Sequence, residues 1–153
     1  MFGFTLKPFE ARDITLSELR EHERELYREM GLKAAAGELV FFESAGEAWT
    51  ITKQGKHVAS VGLCPASAGV ATVWQLPSKD VVLHQFGYAK FFRWQLNRTL
   101  SENNFHRLQT LCLNDDLHER WMTFLGFEKE GVLRKFGSKK QDYAIWARLT
   151  DGC

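Results

Sequence analysis

The chain of 153 residues has the length of a single domain, and its apolar (44%), charged (25%) and aromatic (13%) contents are those of a folded globular protein rather than a disordered one. A formal net charge of +1 gives no electrostatic reason to expect nucleic acid as a partner, and no apolar run approaches the ~20 residues that a membrane span needs. Cys64, Cys112 and Cys153 form no CxxC pair, which predicts neither a disulfide framework nor a zinc site and favours a reducing, cytoplasmic setting.

The first third of the chain is predicted to form one strand and two helices. Residues Phe4–Phe9 alternate weakly between apolar and polar and indicate a strand. The TLSE sequence at Thr15–Glu18 matches a capping box, which predicts a helix of about 15 residues that ends at Gly31. The following segment, AAAGELVFFESAG, fits either a buried strand or a short helix, and its alanines and glutamates favour the helix.

The middle of the chain is predicted to form an antiparallel meander of three strands. The segment AWTITKQGKHVASVGL contains two β-rich runs around the turn signal Lys53–Lys56, which indicates a hairpin. A third run, Val70–Leu76, follows a break at Pro65–Gly69. A helix is then expected from about Val82 to Leu100, where an apolar stripe consists of Phe86, Ala89, Phe92, Leu96 and Leu100. Asn103 and Asn104 are expected to end it.

The last third is predicted to form a strand, a helix and two further strands. His106–Leu113 is apolar on both faces, as expected of a central strand. Asn114, Asp115 and Asp116 offer cap oxygens for a helix that Gly126 ends. The final strands are expected around 130–136 and 143–149. The predicted fold class is therefore α+β, a single domain over residues 1–153 with a mixed, mostly antiparallel sheet of six to seven strands and helices on both faces, in the order β-α-α-β-β-β-α-β-α-β-β.

This order, together with the segment NDDLHERWMTFLGFEKEGVLRKFG and the final DYAIWARL, resembles the GNAT superfamily of acyl-CoA-dependent N-acyltransferases. More narrowly, the AWT strand and the RW-x-x-x-LGF-x-x-EG helix end are similar to GNAT-like proteins of tailed phages, including internal virion proteins of short-tailed phages. The resemblance implies a sheet that opens between its two parallel strands into a V-shaped cleft. It also implies acetyl-CoA as cofactor, and no metal is expected.

In the family, a glycine-rich loop before the third helix binds the CoA pyrophosphate with backbone amides at the helix N-terminus. The matching region here is His84-x-x-Gly87-x-Ala89, which includes Gln85, and it has one glycine after the apolar run Val81–Leu83. The resemblance therefore implies a degraded loop, and Gly87 can equally be a small residue in helix packing. The fourth strand, here Val73 with Trp74, Gln75 and Leu76, would accept the pantetheine arm with its backbone.

Only some of the family's other site residues have counterparts in this sequence. A Tyr that protonates the leaving thiolate in many members is replaced by Met122, which has no proton to give. An Asn that often contacts the cofactor corresponds to Asn114 or Asp115, although both fit a helix cap as well. Glu43 and Glu47 are weak candidates for the general base, and His57, beside a turn signal, is interpreted as a solvated surface group.

Two functions follow from the resemblance. The first is an acetyl-CoA-dependent N-acetyltransferase that acts on an amine acceptor, in the host cytoplasm if the protein is phage-encoded. The second is a non-catalytic component that is packaged in a phage virion and binds other virion proteins, which the lost Tyr and the weakened loop favour. Neither function predicts a nucleic-acid or membrane partner.

Overall fold

The computed structural model describes residues 3–102 and 105–150, so the helix end expected at Asn103 and Asn104 lies outside the described residues, as does Cys153. The strands, in chain order, are β1 (Thr5–Pro8), β2 (Ala48–Lys53), β3 (Lys56–Ser67), β4 (Val70–Pro77), β5 (Arg107–Leu113), β6 (Glu128–Leu133) and β7 (Tyr143–Leu149). The α-helices are α1 (Glu21–Met30), α2 (Leu32–Ala45), α3 (Gln85–Glu102) and α4 (Asp116–Phe124). The predicted order of strands and helices is confirmed.

The seven strands form one mixed sheet in the order β1-β2-β3-β4-β5-β7-β6. β4 and β5 run parallel, as expected for the strands on either side of α3, and their ladder comprises three pairs from Val70↔Arg107 to Thr72↔Gln109. β7 pairs antiparallel with both β5 and β6. By packing, the chain divides into two units, Met1–Cys64 with Val73–Tyr88 (unit 1) and Pro65–Thr72 with Ala89–Cys153 (unit 2).

Residues with positive φ angles form the turns and helix ends that the sequence predicts most clearly. Gln54 and Gly55 have φ angles of 52° and 77° and form the β2–β3 turn, as in a type I′ hairpin, which needs positive φ at both central residues. Gly31 and Gly126, with φ angles of 93° and 91°, follow α1 and α4, where a side chain would be strained.

Several boundaries differ from the predictions for local reasons. Thr15 makes no side-chain cap, and Leu16–Glu18 forms a short 3-10 helix instead, so α1 begins only at Glu21 and has 10 residues. A capping box is formed at Glu10 and Asp13. β3 continues to Ser67, through Pro65, so the predicted break is shorter than expected.

A chain of polar contacts, buried at Thr50 and Ser60, links β1, β2 and β3 in unit 1. Asp13 binds Lys7 (2.6 Å) and accepts a hydrogen bond from the Thr50 hydroxyl (2.8 Å). The hydroxyls of Thr50 and Ser60 lie 3.1 Å apart, and Nε2 of His57 lies 3.0 Å from Oγ of Ser60. The interpretation of His57 as a solvated surface group is therefore wrong, because the ring is half-buried and hydrogen-bonded.

We expect His57 to make the protein acid-sensitive. Burial lowers the pKa of His57 below its ordinary value of 6.5, although Asp13 opposes the shift. The unfolded chain then binds the proton more readily, so the stability contributed by neutral His57 is present above pH 6.5 and is lost as the pH falls through the folded value. Urea unfolding from about pH 8 to about pH 5 should show the wild type losing stability relative to His57→Gln, which keeps a hydrogen-bonding group. Parallel pH profiles for the two proteins would contradict the assignment.

Candidate functional site

The last five residues of β4, Val73–Pro77, continue beyond the three-pair ladder with β5. Successive side chains of a strand point to opposite faces. Trp74 and Leu76 belong to the core cluster of unit 1, whereas Gln75 is half-buried and hydrogen-bonds elsewhere. The side chains of Trp74 and Leu76 pack in the core, so a ligand at this segment would contact the β4 backbone instead.

Trp74 is the best-anchored side chain of this segment. Its ring stacks on Phe42 of α2 with centroids 4.3 Å apart and packs edge-on against Phe9 at 5.2 Å. A Cβ atom at Gly62 of β3 would lie only 2.5 Å from Cζ2 of Trp74, so the indole takes the space that a side chain would fill. The indole is 8% exposed, and its Nε1 has no hydrogen-bond partner among the described residues.

Gln75 is held by a tyrosine that the sequence did not single out. The hydroxyl of Tyr88, in the first turn of α3, donates to Oε1 of Gln75 at 2.7 Å. Burial raises the pKa of Tyr88, with a smaller opposing effect of Arg20, so the hydroxyl stays protonated and remains a donor. This bond ties β4 to the start of α3 within unit 1.

The end of β4 is also fixed by backbone hydrogen bonds. The amide of Arg20 donates to the carbonyl of Pro77 (3.1 Å), and the amide of Ser78 donates to Val58 of β3 (2.9 Å). Ser78 then caps a 3-10 helix, Lys79–His84, by accepting from the amide of Asp80. The segment between β4 and α3 is therefore a capped 3-10 helix rather than an irregular loop.

The residues predicted to bind the pyrophosphate lie at the junction of this 3-10 helix and α3. His84 is half-buried, edge-on to Phe4 at 6.4 Å, and Gln85, the first residue of α3, is exposed. A Cβ atom at Gly87 would meet the Phe4 ring at 3.4 Å, which supports a role for Gly87 in packing. Ala89 is half-buried in the first turn and a half of the same helix.

This junction also exposes apolar side chains. Val82, Leu83 and Phe86 are 62%, 73% and 78% exposed. The expectation that Phe86 belongs to the apolar stripe of α3 is therefore wrong, whereas Phe91, Phe92 and Leu96 are buried. Phe86 and Phe91 are five residues apart on α3, so their side chains lie on different faces of the helix. The buried face contains Tyr88 and Phe91.

The residues predicted near the start of α4 serve the local structure of unit 2. Asp115 is the N-cap, and its carboxylate accepts from the amide of His118 at 2.8 Å. Oδ1 of Asn114 accepts from Nζ of Lys129 at 3.0 Å. Met122, which the sequence resemblance aligns with a tyrosine, is buried at 4% exposure.

The two predicted general-base candidates are exposed side chains of unit 1. Glu43 lies on α2, and Glu47 lies just before β2, where its Oε1 accepts from Nε1 of Trp49 at 3.0 Å. The role of Glu43 and Glu47 as general base stays a prediction.

A different carboxyl, Glu38, lies in the core-facing part of α2. It is half-buried, and burial raises its pKa above the ordinary 4.5, although its interaction with the Tyr27 hydroxyl of α1 opposes the shift. Its neighbours Ala35, Leu39 and Phe42 have the helical spacing of a buried face. That spacing could have indicated Glu38 from the sequence.

Two classes of site find no support among residues 3–102 and 105–150. No group of three or more His, Cys, Asp and Glu side chains there is arranged to hold a metal ion. No helix in the same ranges is long and apolar enough to span a membrane.

Comparison with known proteins identifies the architecture. No protein-family model matches the chain, and no curated protein matches it in sequence. Among solved structures, a candidate phosphinothricin N-acetyltransferase superposes with a TM-score of 0.74 at 14% identity, covering 97% of this chain and 99% of that one. The chain has the GNAT acetyltransferase fold.

Two further structures with the GNAT fold agree over nearly their whole lengths. A spermidine N-acetyltransferase SpeG chimera from Vibrio cholerae and hSSAT has a TM-score of 0.72 at 15% identity, with 96% of this chain and 95% of that chain covered. A GNAT-family acetyltransferase from Bacillus anthracis has a TM-score of 0.70 at 14% identity over 96% and 95%. The fold class predicted from the sequence is confirmed, and the narrower resemblance to phage proteins stays a prediction.

Proposed function

We propose that the protein is an acyl-CoA-dependent N-acyltransferase that transfers an acetyl group from acetyl-CoA to an amine. The observation that carries this proposal is the strand order with a parallel β4–β5 ladder of only three pairs, in a fold shared with known acetyltransferases over 97% of the chain. Because fold alone does not determine activity, the proposal depends on whether the residues around β4 suit the cofactor.

The residues of unit 1 fit the two ends of acetyl-CoA unequally. Trp74, Gln75 and Leu76 lie beyond the three-pair ladder between β4 and β5, and their backbone would contact the amides of the pantetheine arm. At the start of α3, the helix dipole and the amides near Gln85 favour a phosphate group. The exposed Val82 and Leu83 replace polar loop residues there, which weakens the pyrophosphate end.

When bound, acetyl-CoA would supply the thioester carbonyl that the amine attacks. The protein would align it through β4, whose end is fixed by the Tyr88–Gln75 hydrogen bond and by the Pro77 and Ser78 backbone bonds. Met122 offers no proton, so water is the proton donor to the leaving thiolate. The acceptors to test first are spermidine and phosphinothricin, because these compounds appear in the names of two structural neighbours.

Acetyl-CoA binding tests the proposal directly. At about 100 times the dissociation constant, a ligand that binds only the folded state stabilises it by ~2.7 kcal/mol, which raises the melting temperature measurably. Acetyl-CoA should produce this shift, and adenosine alone, which lacks the pantetheine arm, should not. Incubation with acetyl-CoA and each amine should then yield the acetylated product by mass spectrometry. Absence of a melting shift with millimolar acetyl-CoA would contradict the proposal.

The exposed apolar side chains favour a second candidate function. Val82, Leu83 and Phe86 lie where the family has a polar loop, and an exposed apolar patch marks protein contact surfaces. The protein would then be a phage particle component that uses the GNAT fold to bind other virion proteins. This function predicts no acetyl-CoA shift and the presence of the chain in purified phage particles.

A further inference from the structure

The turn between β6 and β7, residues 134–142 (the basic turn), has the strongest concentration of positive charge in the chain. It contains four cations and one carboxylate, namely Arg134, Lys135, Lys139, Lys140 and Asp142. All four cationic side chains are exposed. Because the whole chain has a formal net charge of only +1, the residues outside the basic turn carry a net negative charge. The positive charge is therefore a local property of this turn.

Hydrogen bonds within the basic turn give it a defined shape. Oδ1 of Asp142 accepts from the amide of Lys135 at 2.9 Å, and Oε1 of Gln141 accepts from the amide of Lys139 at 2.9 Å. The amide of Gly137 donates to the carbonyl of Gln141 at 3.0 Å. A backbone site for a single phosphate group needs free amides, and these amides are already hydrogen-bonded. The turn therefore offers its side chains, rather than its backbone, to a negatively charged ligand.

Carboxylates of the chain leave most of this charge uncompensated. Among residues 3–102 and 105–150, no ion pair is formed by Arg134, Lys135 or Lys140. Glu130 in β6 binds Arg107 of β5 instead, with two contacts of 2.6 and 3.0 Å. The two sides of a hairpin lie about 5 Å apart, whereas electrostatic screening acts over ~10 Å at 0.1 M salt. The cations of the turn therefore act together on a ligand.

An exposed aromatic ring lies in the same turn. Phe136 is 55% exposed, and its ring packs against Tyr143 of β7 with centroids 5.2 Å apart. Because a neighbouring ring already positions it, Phe136 loses little conformational freedom when a ligand packs on it. Aromatic side chains and arginine are also enriched in protein–protein interfaces. The basic turn therefore combines several separate cations with one apolar contact.

We propose that the basic turn is a docking surface for an acidic, extended peptide segment of a partner protein. Carboxylates spaced along that segment pair with the four cations, and one apolar side chain of the segment packs on Phe136. The guanidinium of Arg134 can bind one of these carboxylates through two parallel hydrogen bonds. This docking needs no acetyl-CoA, so the inference is independent of the proposed N-acyltransferase function.

The distribution of charge favours a peptide segment over an extended polyanion. Duplex nucleic acid and an anionic membrane both present negative charge over an area much larger than one hairpin turn. The residues outside the basic turn are net negative, so they repel such a surface as it approaches. A short peptide segment contacts the turn alone and is attracted by its positive charge.

Fluorescence anisotropy with a labelled poly-glutamate peptide that has one central phenylalanine tests this inference. The variant R134E/K139E should bind the peptide at least about tenfold more weakly than the wild type. The matched control K33E/K56E, which changes the net charge equally at two exposed lysines outside the turn, should bind it within about twofold of the wild type. Phe136→Ala should weaken binding of this peptide and leave binding of an all-glutamate peptide unchanged. Circular dichroism checks that all variants are folded.

Three results would overturn the docking surface. The first is a dissociation constant of the wild type for the peptide that is weaker than about 1 mM at low salt. The second is equal weakening by R134E/K139E and K33E/K56E, which would mean that only net charge matters. The third is tighter binding to phosphatidylserine vesicles or to a DNA duplex than to the peptide in the same buffer. Unchanged affinity of Phe136→Ala for the phenylalanine-containing peptide would overturn the apolar contact.

Discussion

Replacement of Trp74 by alanine is expected to lower the free energy of unfolding by about 3–5 kcal/mol, the range for truncating a buried aromatic residue. The indole is 8% exposed, stacks on Phe42 and packs edge-on against Phe9, so its removal opens a cavity between α2 and β4. Urea denaturation followed by circular dichroism measures the loss.

Gly62 tests whether the indole occupies the position that the structure gives it. A Cβ at Gly62 would lie 2.5 Å from Trp74, so Gly62→Ala should destabilise the wild type by about 1–3 kcal/mol, as overpacking does. In the Trp74→Ala background the same substitution should cost little, because the clash is absent. The double-mutant cycle should therefore give a coupling energy of at least ~1 kcal/mol.

Gly131 in β6 provides the control for this cycle. A Cβ at Gly131 would meet nothing within 4 Å, so Gly131→Ala should change stability by no more than about 0.5 kcal/mol in either background. Equal costs of Gly62→Ala with and without Trp74 would show that the indole does not cover Gly62.

Phe91→Ala is expected to have the second large effect, with a loss of about 3–5 kcal/mol. Phe91 is 0% exposed and is among the largest fully buried side chains of the described residues. Phe86, one and a half turns earlier on the same helix, is 78% exposed, and Phe86→Ala should change stability by no more than about 0.5 kcal/mol. Both variants replace phenylalanine by alanine on the same helix, so the contribution of helix propensity to the stability change is similar in the two.

Thermal and urea unfolding of the two phenylalanine variants check this contrast. The stripe predicted from the sequence included Phe86 and not Phe91, so the experiment also distinguishes that pattern from the observed one. A larger loss for Phe86→Ala than for Phe91→Ala would mean that α3 is rotated relative to the description given above.

Local signals allowed much of the fold to be predicted from the sequence. The Gln54–Gly55 turn and Gly126 require backbone conformations that few residues adopt, so these positions fix the β2–β3 hairpin and the end of α4. The order of strands and helices followed from such signals, and it predicted the mixed, mostly antiparallel sheet that the structure confirms.

Features that depend on contacts between distant segments could not be predicted in this way. The capping box at Thr15 competes with a 3-10 turn whose following residue, Leu19, pairs with Ser78. The polar chain that holds His57 and the Tyr88–Gln75 bond likewise join residues from separate elements.

Amide hydrogen exchange with and without acetyl-CoA tests most directly the claim that the β4 backbone and the start of α3 bind the cofactor. Binding there predicts slower exchange at residues 73–76 and 85–88, with exchange in β6 unchanged as the internal reference. If saturating acetyl-CoA left the exchange rates in β4 unchanged, or slowed exchange only in other strands, the claim would be contradicted.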